Sequence, residues 1–263
     1  GSKIYLENAS QRWLPMTNYE VIQKEKITLE NADRVLIPTR FLINLYKDAG
    51  YKIEKERLTY QRLPFNYNAF PENKFTDVDT LIFYGKRYTM KGFDLFTEMT
   101  ALLDVDGIIG NKIKRIVLIG PFFPEMEKQN KYIDALKKRV EVIEVSLPRE
   151  EAIGLIKNLH THSICVLPYK SDNHPYSVME LVETGCPYIF ARAGGIPEML
   201  PETFHDMILG APDCGDLALR LKKVLQLNNQ DRYSIYLSVF NEMKKKQKET
   251  NDGFIKYNRT YSG

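Results

Sequence analysis

KSDNHPYSVMELVETGCPYIFARAGGIPE, Lys170–Glu198, falls into a polar loop ending in Pro175, an expected helix from about Ser177 to Thr184, a stop at Gly185 and an apolar strand, Tyr188–Ala191. The pair Gly194-Gly195 then opens another turn. This order places Asp172 in the loop and Glu180 in the first turn of the helix. Between them lies a helix start, whose unpaired N–H groups and dipole end favour phosphate. Two carboxylates flanking such a start suit a ligand that carries both hydroxyls and phosphates, and a nucleotide-sugar is one. A structural reading stands beside it. Ser177-Val178-Met179-Glu180 also fits a capping box, in which Glu180 only returns a hydrogen bond to the Ser177 backbone. On local pattern alone the two weigh about evenly.

Upstream, the alternation is regular. Thr80–Tyr84 reads as a strand and Gly92–Leu103 as a helix with apolar spacing at Phe93, Phe96 and Met99. Arg115–Ile119, Val142–Val145 and Ser163–Leu167 follow as strands, separated by helices over Met126–Val140 and Arg149–Leu159. Short, continuously apolar strands alternating with helices predict a parallel sheet covered on both faces. That is a doubly wound, Rossmann-like α/β domain, whose ligands bind at the carboxyl ends of the strands. Before it come a helix over Tyr19–Ala32, a short strand over Arg34–Pro38, and a helix from an N-cap at Thr39 to Ala49, closed by Gly50. Residues 57–64 read as extended, and Asn66–Asp79 as a polar connection and candidate linker. A long polar helix is expected over Gln230–Lys248, and residues 3–16, with the single Trp13, carry no assignable pattern.

At 263 residues, 43% hydrophobic and 27% charged, the chain has ordinary globular composition and can bury a real core. A net charge of +3 does not indicate nucleic acid, and Lys244-Lys245-Lys246 reads as a solvated helix face. Cys165, Cys186 and Cys214 form no Cys-x-x-Cys pair and fit buried thiols in a reducing cytoplasm. His160-Thr161-His162 has too few neighbouring ligands for a metal. No run approaches the roughly 20 apolar residues of a membrane span, no signal peptide is visible, and Gly1-Ser2 reads as a cloning remnant. No G-x-G-x-x-G or G-x-S-x-G pattern points to a dinucleotide cofactor or a hydrolase elbow.

The opening stretch resembles the signature of retaining GT-B glycosyltransferases, in particular glycosyltransferase family 4. That signature is an acidic residue, seven residues, a Glu, a turn with Gly-x-Pro, an apolar strand and Gly-Gly-Ile-Pro-Glu. Here it runs Asp172, Glu180, Gly185-Cys186-Pro187 and Gly194-Gly195-Ile196-Pro197-Glu198. The family's first acid is usually Glu, and its glycine-rich run is here Asn173-His174-Pro175-Tyr176. Gly85-Lys86-Arg87-Tyr88-Thr89-Met90-Lys91-Gly92 resembles the family's Gly-Arg, four residues, Lys-Gly, whose two cations hold the donor diphosphate. Lys86 falls on the Arg position and Lys91 on the Lys position, with Arg87 placed to supply the planar fork that Lys86 lacks. A diphosphate leaving group needs positive charge where negative charge develops.

The resemblance implies the remaining roles. Gly120 sits where the family has a glycine loop near the donor, and the backbone over Val142–Leu147, Val145 and Leu147 included, reads the base edge. Glu180 accepts from the ribose, the backbone at Tyr176, Ser177 and Val178 meets the diphosphate, and Asp172 faces the sugar. Glu198 reads as a turn residue. Glu30–Gly50, ENADRVLIPTRFLINLYKDAG, resembles the closing part of the other GT-B lobe. The expected division is therefore 1–65, a remnant of the acceptor lobe with a linker; 66–228, the donor-binding domain; and 229–263, a terminal helix and tail.

The function expected is transfer of a hexose from a nucleotide-diphospho-sugar to a glycan or lipid-linked acceptor, as in polysaccharide biosynthesis. UDP-sugar is the foremost donor, with GDP- and ADP-sugars as alternatives, and no metal or other cofactor is required. The resemblance implies a cytoplasmic place, with peripheral contact at the inner membrane face open to it. Two rivals stand: a nucleotide-sugar-binding module without catalysis, and a GT-B-fold epimerase or phosphorylase.

Overall fold

The computed structural model describes residues 18–72 and 74–261, with side chains from 19 to 251. Trp13 and the unassigned segment 3–16 lie outside the described residues. The chain divides into two compact units, Gly1–Pro64 with Glu249–Gly263, and Phe65–Lys248.

The smaller unit holds α1 (Asn18–Asn31), β1 (Val35–Ile37), α2 (Arg40–Asp48) and β2 (Leu58–Tyr60), with β1 and β2 paired in parallel. Thr39 caps α2, its side chain accepting from Leu42 N at 3.3 Å, as the sequence predicts. The core here is small: Leu29, Val35, Ile37, Leu42 and Tyr46. Buried Glu25 accepts from the hydroxyls of Tyr46 at 3.0 Å and Tyr51 at 3.2 Å. Burial and the Glu25 charge push the Tyr51 hydroxyl up to about 12.

The larger unit carries β3 (Thr80–Tyr84), α3 (Phe93–Val105), β4 (Arg115–Ile119), α4 (Glu127–Leu136), β5 (Glu141–Val145), α5 (Arg149–Leu159) and β6 (Ser163–Leu167). It continues with α6 (Tyr176–Thr184), β7 (Tyr188–Ala191), α7 (Ile196–Met199), α8 (His205–Ile208), β8 (Leu209–Gly210), α9 (Cys214–Gln226) and the first part of α10 (Asn229–Tyr261). The six strands pair in parallel in the order β5-β4-β3-β6-β7-β8. Leu81, Ile82, Phe83, Ile164, Val166 and Ile189 are fully buried, as expected of strands with helices on both sides. The chain steps outward from β3 to β5, returns to β6 beside β3, and steps the other way to β8. With right-handed crossovers, that reversal puts α3, α4 and α9 in one layer and α5 with α6 in the other. The fold is the doubly wound α/β architecture, and its switch point, the place where such sheets bind ligands, lies between β3 and β6.

Three local readings change. Among the described residues of 66–79 there is no helix or strand, yet Tyr67, Phe70, Phe75 and Val78 are buried, so the stretch is packed. Phe70 and Phe75 each meet the Tyr233 ring at 5.5 Å, and buried Arg232 donates to Thr76 O at 2.6 Å. The polar residues between these aromatics hid their common face. The helix expected to reach Val140 ends at Leu136, where Lys137 turns to bond Glu144 and Asp134, each at 2.7 Å. The third concerns the segment after residue 192. β8 and α9 were not anticipated, although Asp213 caps Asp216 N at 2.9 Å and Leu217, Leu221 and Val224 form a helical apolar face.

Candidate functional site

Two loops leave the sheet at the switch point, 85–92 after β3 and 168–175 after β6, and they touch. Lys170 N donates to Met90 O at 3.1 Å. Gly92 has φ 68°, and a Cβ there would lie 1.8 Å from the Pro168 carbonyl oxygen, so only glycine lets the loops close. Gly194 meets the same limit farther along: its φ is 59°, and a Cβ would lie 2.0 Å from Asp172 O, the atom that accepts from Gly195 N at 2.9 Å. The Gly-Gly turn thereby holds the Asp172 backbone against the sheet edge.

Lys91 Nζ lies 2.5 Å from Asp172 Oδ2 and 4.0 Å from the centre of the Tyr169 ring. The Tyr169 hydroxyl donates to Tyr84 O at 2.9 Å, and the Tyr84 hydroxyl donates to Glu180 Oε2 at 2.8 Å. Glu180 Oε1 receives Arg149 Nε at 2.5 Å. One connected chain of contacts thus runs from Lys91 to Glu180 along the carboxyl edge, through side chains of β3, the two loops, α5 and α6. Burial, with the neighbouring Glu180 charge, pushes the Tyr84 hydroxyl well above its ordinary range, and burial does the same to Tyr169. Both therefore stay protonated donors at neutral pH. The hydrogen bond to Glu180 holds the Arg149 guanidinium above its usual value.

The capping-box reading does not hold. α6 begins after Pro175 with no side-chain cap, Ser177 lies inside the helix, and the Glu180 side chain turns to Tyr84 and Arg149. α6 starts without a side-chain cap, so first-turn backbone donors at Tyr176 and Ser177 face the end where an anion would sit, whereas Val178 N donates to Pro175 O at 3.1 Å.

The other sequence-marked residues lie around the same edge. Gly85 and Lys86 open the first loop, and Lys86 is exposed. Arg87 is 6% exposed, ion-paired to Glu144 and set over the Phe122 ring at 5.5 Å, so its fork is engaged inside the protein. Burial acts to raise the Glu144 carboxyl, but hydrogen bonds from Lys137 and Arg87 outweigh it and hold the group below the ordinary range. Gly120 follows β4 and donates to Val145 O at 2.8 Å, and Leu147 follows β5. Glu198 lies in α7. Among the described residues no three His, Cys, Asp or Glu side chains gather as a metal site, and no helix is long and apolar enough to cross a membrane.

Tyr84, Tyr169 and Arg149 escaped the sequence reading. The two tyrosines end or follow apolar strands, where they read as core. Arg149 carried a signal: a cation at a helix start faces the positive dipole end, which is unfavourable without an acidic partner.

Residues 78–227 match the family "Glycosyl transferases group 1". The chain belongs to this family of glycosyltransferases, and its fold is of GT-B type. Among solved structures it is similar to sucrose-phosphate synthase from Thermosynechococcus elongatus, with a TM-score of 0.65 and 14% identity over 98% of this chain and 66% of that one. HepE of Anabaena in complex with UDP aligns with a TM-score of 0.69 and 12% identity, over 93% of this chain and 68% of that one. A mutant TarM of S. aureus in complex with fondaparinux, α-GlcNAc-glycerol and UDP gives 0.69 and 11%, over 92% of this chain and 48% of that one. The chain thus spans about two thirds of the first two and about half of the third. No curated protein matches it at a significant level.

Proposed function

We propose that the larger unit binds the nucleoside-diphosphate part of a nucleotide-sugar and is the donor-binding part of a retaining, metal-independent hexosyltransferase of glycosyltransferase family 4. In this reading Lys86 and Lys91 neutralise the diphosphate, the first turn of α6 supplies backbone donors to it, Glu180 takes the ribose hydroxyls and Asp172 orients the sugar. Arg87 anchors its loop through Glu144 and leaves the phosphate to the two lysines. The backbone around Gly120, Val145 and Leu147 meets the base. UDP is the foremost base carrier, since HepE and TarM were solved with it. The acceptor is a glycan or a lipid-linked acceptor, and a cytoplasmic or inner-face location belongs to the same reading.

The single observation that carries this is the contact chain from Lys91 to Glu180 at the switch point, the place where doubly wound sheets bind ligands. It brings a cation–carboxylate pair and a second carboxylate to one end of the sheet, beside a helix start without a side-chain cap. Titration calorimetry with UDP, GDP and ADP tests it. Lys91→Ala and Glu180→Ala should each weaken binding of the preferred nucleotide by about 1–3 kcal/mol, the scale of a charged hydrogen bond. Unchanged affinity in both variants, with the fold intact, would remove the assignment. A second reading, a nucleotide-sugar-binding module without catalysis, draws on the Asp172–Lys91 pair, which satisfies each partner before any sugar arrives. Hydrolysis or transfer of the bound sugar, measured by product analysis, separates the two.

A further inference from the structure

Glu180 is 4% exposed. A carboxylate so far from water needs a counter-charge and hydrogen bonds, or it takes up a proton instead. Both come from outside its own helix. Arg149, the first residue of α5, supplies the charge to Oε1 at 2.5 Å, and Tyr84, the last residue of β3, supplies a hydroxyl to Oε2 at 2.8 Å. Each donor is itself held. Arg149 Nη1 bonds Glu150 Oε1 at 2.9 Å, and the Tyr84 carbonyl accepts from the Tyr169 hydroxyl at 2.9 Å. The cation stands at a helix start that repels it, and its two acidic partners are Glu150 in α5 itself and Glu180 in α6.

We propose that Tyr84 and Arg149 are positioning residues that hold Glu180 as a fixed, charged acceptor for two adjacent hydroxyls, so that the site takes ribonucleotides and rejects deoxyribonucleotides. The inference rests on the reading of Glu180 as the ribose acceptor. A carboxylate offers about four acceptor positions, two on each oxygen. The two donors occupy one on each oxygen and leave one on each, which is what a vicinal diol needs. With both oxygens anchored, the carboxylate cannot rotate to follow a ligand that lacks these hydroxyls. The two positions would then stay unpaired in a nearly dry place, and that is costly. The Lys91–Asp172 pair lies at the other end of the contact chain, so loss of the clamp should leave phosphate recognition alone.

The test uses whichever of UDP, GDP and ADP binds tightest, its 2′,3′-dideoxy analogue, and inorganic diphosphate. Calorimetry is run on the unmodified chain, Tyr84→Phe, Arg149→Met, Arg149→Lys, Glu180→Gln and the double variant Arg149→Met/Glu180→Gln, with circular dichroism and thermal unfolding alongside. The unmodified chain should prefer the ribonucleotide by about tenfold or more, the scale of one charged hydrogen bond. Tyr84→Phe and Arg149→Met should each shrink that ratio several-fold while inorganic diphosphate binds within about twofold of before. Arg149→Lys, which keeps the charge, should restore part of the ratio. In the Glu180→Gln background, Arg149→Met should cause no further loss. If Arg149→Met does not fold, Tyr84→Phe and Arg149→Lys carry the test, since neither leaves a void or strips the charge. A preference unchanged in Tyr84→Phe and Arg149→Met overturns the clamp and leaves the ribose assignment standing. A further loss in the double variant means that Arg149 touches the nucleotide itself, and also overturns it. An unmodified chain that binds both nucleotides equally overturns the ribose assignment and the clamp together.

Discussion

The two edges of the six-stranded sheet handle charge in opposite ways. At the carboxyl edge the acids are sunk: the side chains of Asp172 and Glu180 are 8% and 5% exposed and meet Lys91 and Arg149 at 2.5 Å. Two pairs at the amino edge lie in water. Arg115 meets Glu141 at 2.7 Å and Lys222 meets Asp106 at 2.5 Å, with the two acids 54% and 42% exposed. Solvated pairs contribute about 0–1 kcal/mol and are screened by salt. Buried carboxylates incur a desolvation cost that a well-packed apolar residue would not. An acid kept at that cost, at a switch point, fits the proposed binding role better than a purely stabilising one. Equal distances therefore conceal unequal roles, and burial separates them.

The sharpest way to break this contrast is through the backbone. Gly92→Ala should destabilise the fold on the order of 3 kcal/mol, because its Cβ collides with the Pro168 carbonyl and its φ is left-handed. Gly110, near the amino edge, shares a positive φ of 87°, but a Cβ there would come no nearer than 4.0 Å to Arg139 Nη2. Its alanine variant should cost only the strain, about 1–2 kcal/mol. Urea unfolding of both compares them directly, and equal losses would mean that the carboxyl-edge loops are not held as tightly as their contacts indicate.

A smaller effect comes from Glu144, which anchors Arg87. Its carboxyl is held below the ordinary range in the folded chain, so its contribution is present above the unfolded value near about 4.3 and is lost as pH falls through the folded one. Glu144→Gln should be less stable than the parent at neutral pH, and the gap should close as the medium is acidified below about pH 4. Urea midpoints measured from neutral to acid pH give the curve; a gap independent of pH would detach Glu144 from the loop's electrostatics. The smallest change belongs to the amino edge. Glu141→Ala should alter stability by no more than about 0.5 kcal/mol and leave nucleotide affinity where it was, by thermal unfolding and calorimetry. A drop in affinity there would erase the distinction between the edges.

Much of the larger unit could be read along the chain because most of its strands are short apolar runs separated by stretches with helical spacing. TLIFY, RIVLI and SICVL occupy the expected spans, and Gly185, with φ 71°, ends α6 as expected. β8 has two residues, too few to show a period, and it exists only because Phe190 and Ala191 offer it a partner. Residues 66–79 looked like a linker because their burial depends on Tyr233 and Phe240, far along the chain. At the site, Asp172, Glu180 and Lys91 could be marked through the family signature that their stretches resemble. Arg87 could not be separated from its neighbours, since its engagement depends on Glu144 in β5.

The order of residues determined which elements form and which groups stand at the strand ends, because periodicity, capping and glycine placement are local properties. Only the tertiary structure decided where Glu180 points. Its helix offered a cap at Ser177, and a tyrosine and an arginine from two other elements took it instead. A buried carboxylate goes where charge and donors are found, and those were 96 and 31 residues away along the chain.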